Sequence, residues 1–342
     1  MEWYMMYMPI AGIEIFWPGL VLIGFAVGCI GGFFGMGGAW MVTPGLNILG
    51  FPMAFAIGTD IAHIAGKSMI STFRHSKFGN VDYKLGLIMI VGTVIGIEVG
   101  AQVVMWLERI GQVGPVVRWV YIGLLALIAL MVFYDYYKAT QKKKIGDVGE
   151  HGAEGITWYK TLHRINIPPV IHFKVAGITC SAWLPIFVSF LTGVLAGFLG
   201  IGGGLIRMPA LVYLIGCPTH IAVGTDLFEV MISGLYGTFT YGAKGRIEIW
   251  AVFVMLAGAA IGAQIGTVAT KYAKGYGIRI AFGLAVLACM VSIILKQFKI
   301  NTPATVLILG AVGAICIYIC MIMFKGAAKE LREKKAGASH AA

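Results

Sequence analysis

The sequence is poor in charge. Asp, Glu, Lys and Arg make up 12% of its 342 residues, against 59% hydrophobic, and the mean hydropathy is +0.86. Several apolar runs reach the ~20 residues needed to cross a ~30 Å hydrocarbon core. The expected fold class is therefore an all-α polytopic membrane protein. The few basic residues give a net charge of +11, but they cluster in short loops between the apolar runs. That is orientation information rather than a nucleic-acid footprint, so no nucleic-acid partner is expected. Met1-Glu2-Trp3-Tyr4 lacks the positive start of a cleavable signal peptide. The six cysteines, Cys29, Cys180, Cys217, Cys289, Cys316 and Cys320, show no metal-ligand spacing with histidine. They read as small packing residues, and neither a metal nor a cofactor is expected. No serine or cysteine sits in a nucleophile elbow, so the chain does not read as an enzyme.

Glycine is abundant, and it is patterned. Gly31-Gly32-Phe33-Phe34-Gly35-Met36-Gly37-Gly38 has a second copy, Gly197-Phe198-Leu199-Gly200-Ile201-Gly202-Gly203-Gly204. Each copy lies in an apolar run and is followed by a proline, Pro44 or Pro209. Clustered glycines, each costing roughly 1 kcal/mol relative to alanine, break a helix. Broken backbone at membrane depth is tolerated only where protein buries it or a watery cavity receives it. Paired interruptions in two halves point to a transporter binding site. No Gly-Lys-Ser/Thr follows either copy at phosphate-loop spacing, which argues against a nucleotide phosphate loop.

In chain order, residues 1–16 are rich in methionine and aromatics and read as interfacial. The run 17–34, the glycine segment and the short run 39–49 predict a hairpin. The second arm, at 1.5 Å per residue, covers only ~17 Å, about half a membrane. Spans follow at about 53–74, 84–107 and 116–136. Residues 137–175 form a polar linker, whose end, Ile171 to Cys180, alternates as a small surface hairpin does. The second half repeats the first: a hairpin at about 184–200 and 204–215, then spans at about 218–241, 248–270 and 278–297. An extra span, about 303–324, precedes a basic tail, Lys325 to Lys335. The self-match is specific. Gly58-Thr59-Asp60 matches Gly224-Thr225-Asp226, Gly79-Asn80-Val81-Asp82 matches Gly245-Arg246-Ile247-Glu248, and Gly92, Gly96 and Gly100 match Gly258, Gly262 and Gly266, all 166 residues apart. This is an internal duplication. The domains expected are an N-terminal repeat (1–136), a cytoplasmic linker (137–175), a C-terminal repeat (176–297), and an extra helix with a basic tail (298–342).

Arg74, His75, Lys77 and Lys84 place one loop in the cytoplasm, together with the lysines of the linker and tail. Loop 108–118 then faces out. Three full crossings per half, plus a hairpin that returns to its own side, invert the second half relative to the first. The N-terminus is expected outside and the C-terminus in the cytoplasm, in the cell membrane. Loop 242–248 is then outside despite Lys244 and Arg246.

The duplicated Gly-x-Gly-Gly motif with its proline, the Gly-Thr-Asp helix start and the Gly-Asn-Val-Asp loop resemble the TauE/SafE sulfite exporter family of membrane permeases. The likeness covers nearly the whole chain. It implies secondary transport of small sulfur-containing anions such as sulfite or organosulfonates. Two features depart from the family pattern. Many members have Thr-Ser where this chain has Thr59-Asp60 and Thr225-Asp226, and the linker is longer than usual.

Several residues are candidates for the chemistry. Gly35, Gly37, Gly38, Gly200, Gly202, Gly203 and Gly204 form an anion cradle if free N–H groups at a half-helix N-terminus face a ligand. The alternative is tight helix packing. Thr59 and Thr225 flank them as further substrate contacts. Asp60, His63 and Lys67 share one helical face by spacing, and Asp226, Glu229 and Ser233 repeat it. Asp60 lies ~12 Å into its span. A lone charge there costs ~3 kcal/mol or more, so it must be paired and face inward. Asp60, His63, Asp226 and Glu229 then couple protons or sodium, with Lys67 or His63 as charge partner or anion contact; the alternative is a structural ion pair. Arg207 either pairs an anion bidentately or snorkels to the surface. Glu98 aligns with Gln264 and lines the cavity or packs. The Gly92, Gly96 and Gly100 series reads as a packing seam. The expectation is a secondary transporter, an exporter of small anions coupled to protons or sodium in a lipid bilayer. Alternatives are an importer of sulfate or thiosulfate and an uncoupled anion channel.

Overall fold

The computed structural model describes residues 3–34, 39–144, 167–272 and 277–340. Strands β1 (Met5–Met8) and β2 (Ile13–Phe16) form an antiparallel hairpin. Helix α1 (Trp17–Phe34), a 3₁₀ turn (Ala39–Met41) and the short α2 (Val42–Leu49) follow. Next come α3 (Met53–Lys77), α4 (Tyr83–Arg109) and α5 (Val113–Lys144). The order then recurs: β3 (Val170–Phe173) and β4 (Ile178–Ser181), α6 (Trp183–Leu199), the short α7 (Gly204–Tyr213), α8 (Thr219–Ala243), α9 (Ile249–Tyr272) and α10 (Gly277–Gln297). The additional α11 (Asn301–His340) closes the chain.

By length and composition four helices among the described residues can cross a membrane: Tyr83–Arg109, Val113–Tyr134, Ile249–Ala269 and Asn301–Gly326. Helices α3 and α8, of 25 residues each, reach ~37 Å. Their buried faces carry the charged residues of the site, which lowers their hydropathy. This is an all-α polytopic membrane protein with two small hairpins.

The helices pack in a reciprocal pattern. Helix α1 packs on α9 and α6 on α4, while α3 packs on α8 and α5 on α10. Glycine makes the first two contacts possible. A Cβ at Gly92, Gly96 or Gly100 would strike the carbonyls of Ile186, Phe190 or Val194 of α6. A Cβ at Gly24, Gly28 or Gly32 would likewise strike Met255, Ala259 or Ala263 of α9. Both seams run in parallel, since residue numbers rise together along each pair. In contrast, α3 and α8 run antiparallel, with Ala65 against Gly234 and Ile61 against Gly237. At the seams small residues let backbones approach, the usual device for helix association in lipid. Gly96→Ala forces its new methyl to within 2.7 Å of the Val194 amide nitrogen. Overpacking of this kind costs about 1–3 kcal/mol. The expected result is a fall of several degrees in the melting temperature of the purified variant, with ligand affinity unchanged in the folded fraction.

The duplicated loops lock each half to the other. Asp82 caps α4 by accepting from the Leu85 amide, and its other oxygen accepts from the Val175 and Ala176 amides of the β3–β4 hairpin at 3.1 and 3.0 Å. Glu248, its counterpart, accepts from the Ile10 and Ala11 amides of the β1–β2 hairpin, both at 2.9 Å. The N-terminal stretch expected to be interfacial is therefore a hairpin matching the one anticipated around 171–180. At the end with the β1–β2 hairpin, Arg246 binds Glu108 through Nε at 3.0 Å to both oxygens, and Lys244 lies 3.7 Å from Glu98. The two cations that sat awkwardly in loop 242–248 thus have acidic partners on α4.

Two helices run longer than their apolar spans. Helix α5 continues to Lys144, into the predicted linker, and α11 carries through the basic tail to His340. Residues 145–166 lie outside the described chain.

Candidate functional site

The short helices α2 and α7 start beside the glycine segments and end about half a membrane later. The first segment, with Gly35, Gly37 and Gly38, lies outside the described residues. The second is described, and its backbone explains its composition. Gly200, Gly202 and Gly203 have φ of +83°, +66° and +75°. An L-residue in that region costs roughly 1–2 kcal/mol, so glycine is required. Gly200 ends α6 and Gly203 caps α7.

Each half-helix start faces a carboxylate of the chain itself. In the first half, Asp60 Oδ2 accepts from the Thr43 amide at 3.1 Å and the Thr43 hydroxyl at 2.8 Å, in the first turn of α2. In the second, a Cβ at Gly204, the first residue of α7, would lie 2.8 Å from Asp226 Oδ2. A negative group is favourable at both places because the helix dipole and unpaired amides point there. At the half-helix starts where an anion cradle was expected, the described residues place an internal carboxylate.

Around Asp226 the charges are paired. Arg207 Nη1 lies 3.3 Å from Asp226 Oδ1 and also pairs with Glu229 Oε2, while its Nε donates to Thr192 Oγ1 of α6 at 3.1 Å. Arg207 is fully buried, so it does not snorkel to the surface. Its Nη2 has no hydrogen-bond partner among the described residues and would meet a Gly203 Cβ at 2.6 Å. The cluster holds two acids for one guanidinium.

Around Asp60 the pairing is looser. His63 Nδ1 stands 3.9 Å from Asp60 Oδ1, and both residues have no exposed surface. Asp60 Oδ1 and both His63 ring nitrogens lack a hydrogen-bond partner among the described residues. Buried polar atoms left this way are rare and call for an explanation. Lys67, two turns from Asp60 on the same helix, lines a cavity of about 270 Å³. Ser233, at the matching position of α8, is buried.

The two clusters adjoin. A Cβ at Gly200 would come 2.6 Å from Thr43 Oγ1, the hydroxyl that binds Asp60. Tyr121 of α5 donates to the Leu199 carbonyl at 2.7 Å. Gly202 sits between Ile64 and Val230, which directly follow His63 and Glu229. The structure therefore brings together Asp60, His63, Asp226, Glu229, Arg207 and the second glycine segment.

Thr59 and Thr225 have another position. Thr59 Oγ1 accepts from the Glu248 amide, and Thr225 Oγ1 from the Asp82 amide, both at 3.0 Å. A Cβ at Gly58 or Gly224 would strike the carbonyl of Arg246 or Asn80 in the same loops. In each Gly-Thr-Asp motif the glycine admits the opposite loop, the threonine binds it, and the aspartate turns to the half-helix. Sequence reasoning missed Thr43 and Thr192 as partners of the charged residues. The sole signal was their place one turn from a motif.

Known proteins are similar to this chain over most of its length. A family model described as sulfite exporter TauE/SafE matches residues 20–293. A probable membrane transporter protein of Bacillus subtilis, YunE, is 24% identical over 255 residues, 72% of this chain and 86% of that protein. One from Xylella fastidiosa (strain 9a5c) is 25% identical over 281 residues, 81% of this chain and 93% of that protein. One from Methanocaldococcus jannaschii is 27% identical over 231 residues, 66% of this chain and 72% of that protein. No solved structure matches the chain significantly. Together with the helices, these similarities mark a membrane transporter of a small molecule.

Proposed function

We propose that this chain, which belongs to the sulfite exporter TauE/SafE family, is a secondary transporter that exports small sulfur-containing anions, sulfite or organosulfonates, using protons or sodium. The observation that carries this reading is the pair of buried carboxylates, Asp60 and Asp226, each facing the start of a half-helix at a duplicated position.

A carboxylate and a substrate anion compete for such a place. When a proton or sodium ion neutralises Asp60, the α2 start is left with its positive dipole end and its amides. An anion then takes up that field, with Arg207 Nη2, which has no partner among the described residues, as a charged donor close by. When the anion leaves, the carboxylate returns. Anion movement is thereby tied to the protonation or cation occupancy of Asp60, His63, Asp226 and Glu229. The excess acid beside Arg207 gives the second half the same capacity, since a buried unpaired charge costs several kcal/mol and favours uptake of a counter-charge. The proposed cradle draws on Gly200 to Gly204 in the second half and, by the sequence duplication alone, on Gly35, Gly37 and Gly38 in the first.

The proposed topology is an inverted repeat in the cell membrane. Antiparallel α3 and α8, and the acidic partners of Lys244 and Arg246, support it. Loop 78–82 then lies in the cytoplasm and loop 244–248 outside. Proteoliposomes loaded with sulfite test the transport reading. Efflux is expected to rise severalfold when a proton or sodium gradient is imposed. Efflux indifferent to every gradient would identify an anion channel instead.

A further inference from the structure

The cavity of about 270 Å³ beside Lys67 has a character the central clusters do not explain. One side carries three basic residues of α3: Lys67, Arg74 and His75. Among the described residues no aspartate or glutamate lines it. Arg74 makes no ion pair among the described residues, and the buried Nδ1 of His75 has no hydrogen-bond partner among them. The other walls are mainly apolar, from Ile70, Leu256, Ala260 and Ala263, with Ser71, Gln264 and Thr267 as polar members. Its volume lies near the lower edge of the ~300–1,000 Å³ usual for small-molecule pockets. A bare inorganic oxyanion would leave most of it unfilled.

The matching positions of the other half are different. Where Lys67, Arg74 and His75 stand, it has Ser233, Thr240 and Tyr241, and opposite Gln264 it has Glu98. Glu98 accepts hydrogen bonds from Gln102 at 2.6 Å and Tyr236 at 3.2 Å and faces Lys244. A carboxylate there disfavours an anion, whereas the α3 cavity attracts one.

We infer that the α3–α9 cavity is a one-sided capture site for a small organic anion, whose charged head meets Lys67, Arg74 and His75 while a short carbon tail lies against Ala260, Ala263 and Ile70. This deepens the transport reading and rests on it for the fate of the ligand, but not for its binding. The site draws on two separable features, a basic end and an apolar wall, and the two respond to different substitutions. Arg74 and Ala260 are both exposed, so changing either is expected to leave the fold intact.

Binding of ethanesulfonate and of sulfite to the purified full-length protein in detergent tests the inference. The parent is expected to bind ethanesulfonate about tenfold more tightly than sulfite, as burial of two carbons predicts. Arg74→Gln should weaken both probes by roughly tenfold to a hundredfold, the effect of losing a hydrogen bond to a charged partner. Ala260→Phe fills the apolar end and should weaken ethanesulfonate alone, bringing the two probes level. Parent-like ethanesulfonate affinity in Arg74→Gln overturns the inference, as does an Ala260→Phe variant that affects both probes equally or neither. The transport reading fails separately. If the parent binds as expected but moves neither probe across proteoliposomes, the capture site stands and transport falls. If Arg74→Gln carries ethanesulfonate with the parent's KM, capture falls and transport stands.

Discussion

Arg207→Met should all but abolish the folded protein. The Arg207 guanidinium pairs with both Asp226 and Glu229, and all three are buried. Removing one partner of a buried ion pair costs about 3–5 kcal/mol because it leaves a charge uncompensated. Here it leaves two carboxylates facing each other. That is a large part of the 5–15 kcal/mol that typically holds a domain. Detergent-solubilised yield and the melting temperature should both collapse. The triple variant Arg207→Met, Asp226→Asn, Glu229→Gln removes every charge of the cluster at once and should melt close to the parent while transporting nothing. A single Arg207→Met variant as stable as the parent would mean that the cluster is not a charge-balanced unit.

Gly203→Ala should separate binding from stability in the opposite sense. Its φ of +75° makes an alanine strained by roughly 1–2 kcal/mol. Its Cβ would lie 2.6 Å from Arg207 Nη2 and 3.2 Å from Cζ, so the guanidinium must shift. Nη2, which has no partner among the described residues, is the donor proposed for the anion, and losing a charged hydrogen bond costs about 1.5–3 kcal/mol. Measured in the Arg74→Gln background, where the α3–α9 cavity no longer dominates binding, sulfite or sulfonate affinity should fall by roughly a further tenfold to a hundredfold, while the protein remains folded and melts a few degrees lower. Parent-like affinity would reduce the glycine segment to a hinge.

Much of this architecture is written in one dimension, because run length and glycine period are local properties. The half-length arm after Gly35–Gly38, the doubled order of elements and the seams at Gly92, Gly96 and Gly100 all follow from spacing. The burial of Asp60 follows from its depth in an apolar run. What spacing does not carry is which loop meets which. Asp82 binds amides 93 and 94 residues away, and Glu248 binds amides 238 and 237 residues away. Those contacts exist because each half's hairpin packs on the other half's loop, and no periodicity encodes that. For the same reason Thr59 and Thr225 read as neighbours of the glycine segments, while their hydroxyls face the opposite loops. The β1–β2 hairpin escaped because its methionines and aromatics resemble an interfacial stretch. The clue was Gly12, which precedes Gly177 by 165 residues, as Gly35 precedes Gly200, and has the same left-handed backbone as Gly177. The extension of α5 to Lys144 and of α11 to His340 has a different cause. Apolar character marks where a span ends, but lysine, glutamate and alanine are strong helix formers and carry the helix on into water.

The central claim is that Asp60 and Asp226 exchange a counter-charge with the transported anion. It is tested most directly by sulfite and ethanesulfonate flux in proteoliposomes, with proton and sodium gradients imposed separately, for the parent, Asp60→Asn and Asp226→Asn. Asparagine keeps the shape of the side chain and can still accept from the Thr43 amide, so Asp60→Asn should remain folded. The account predicts that the gradient which accelerates the parent loses its effect in Asp60→Asn, and that flux falls at least tenfold in both variants at parent-like melting temperature. Gradient-driven flux that persists unchanged in both folded variants would contradict it.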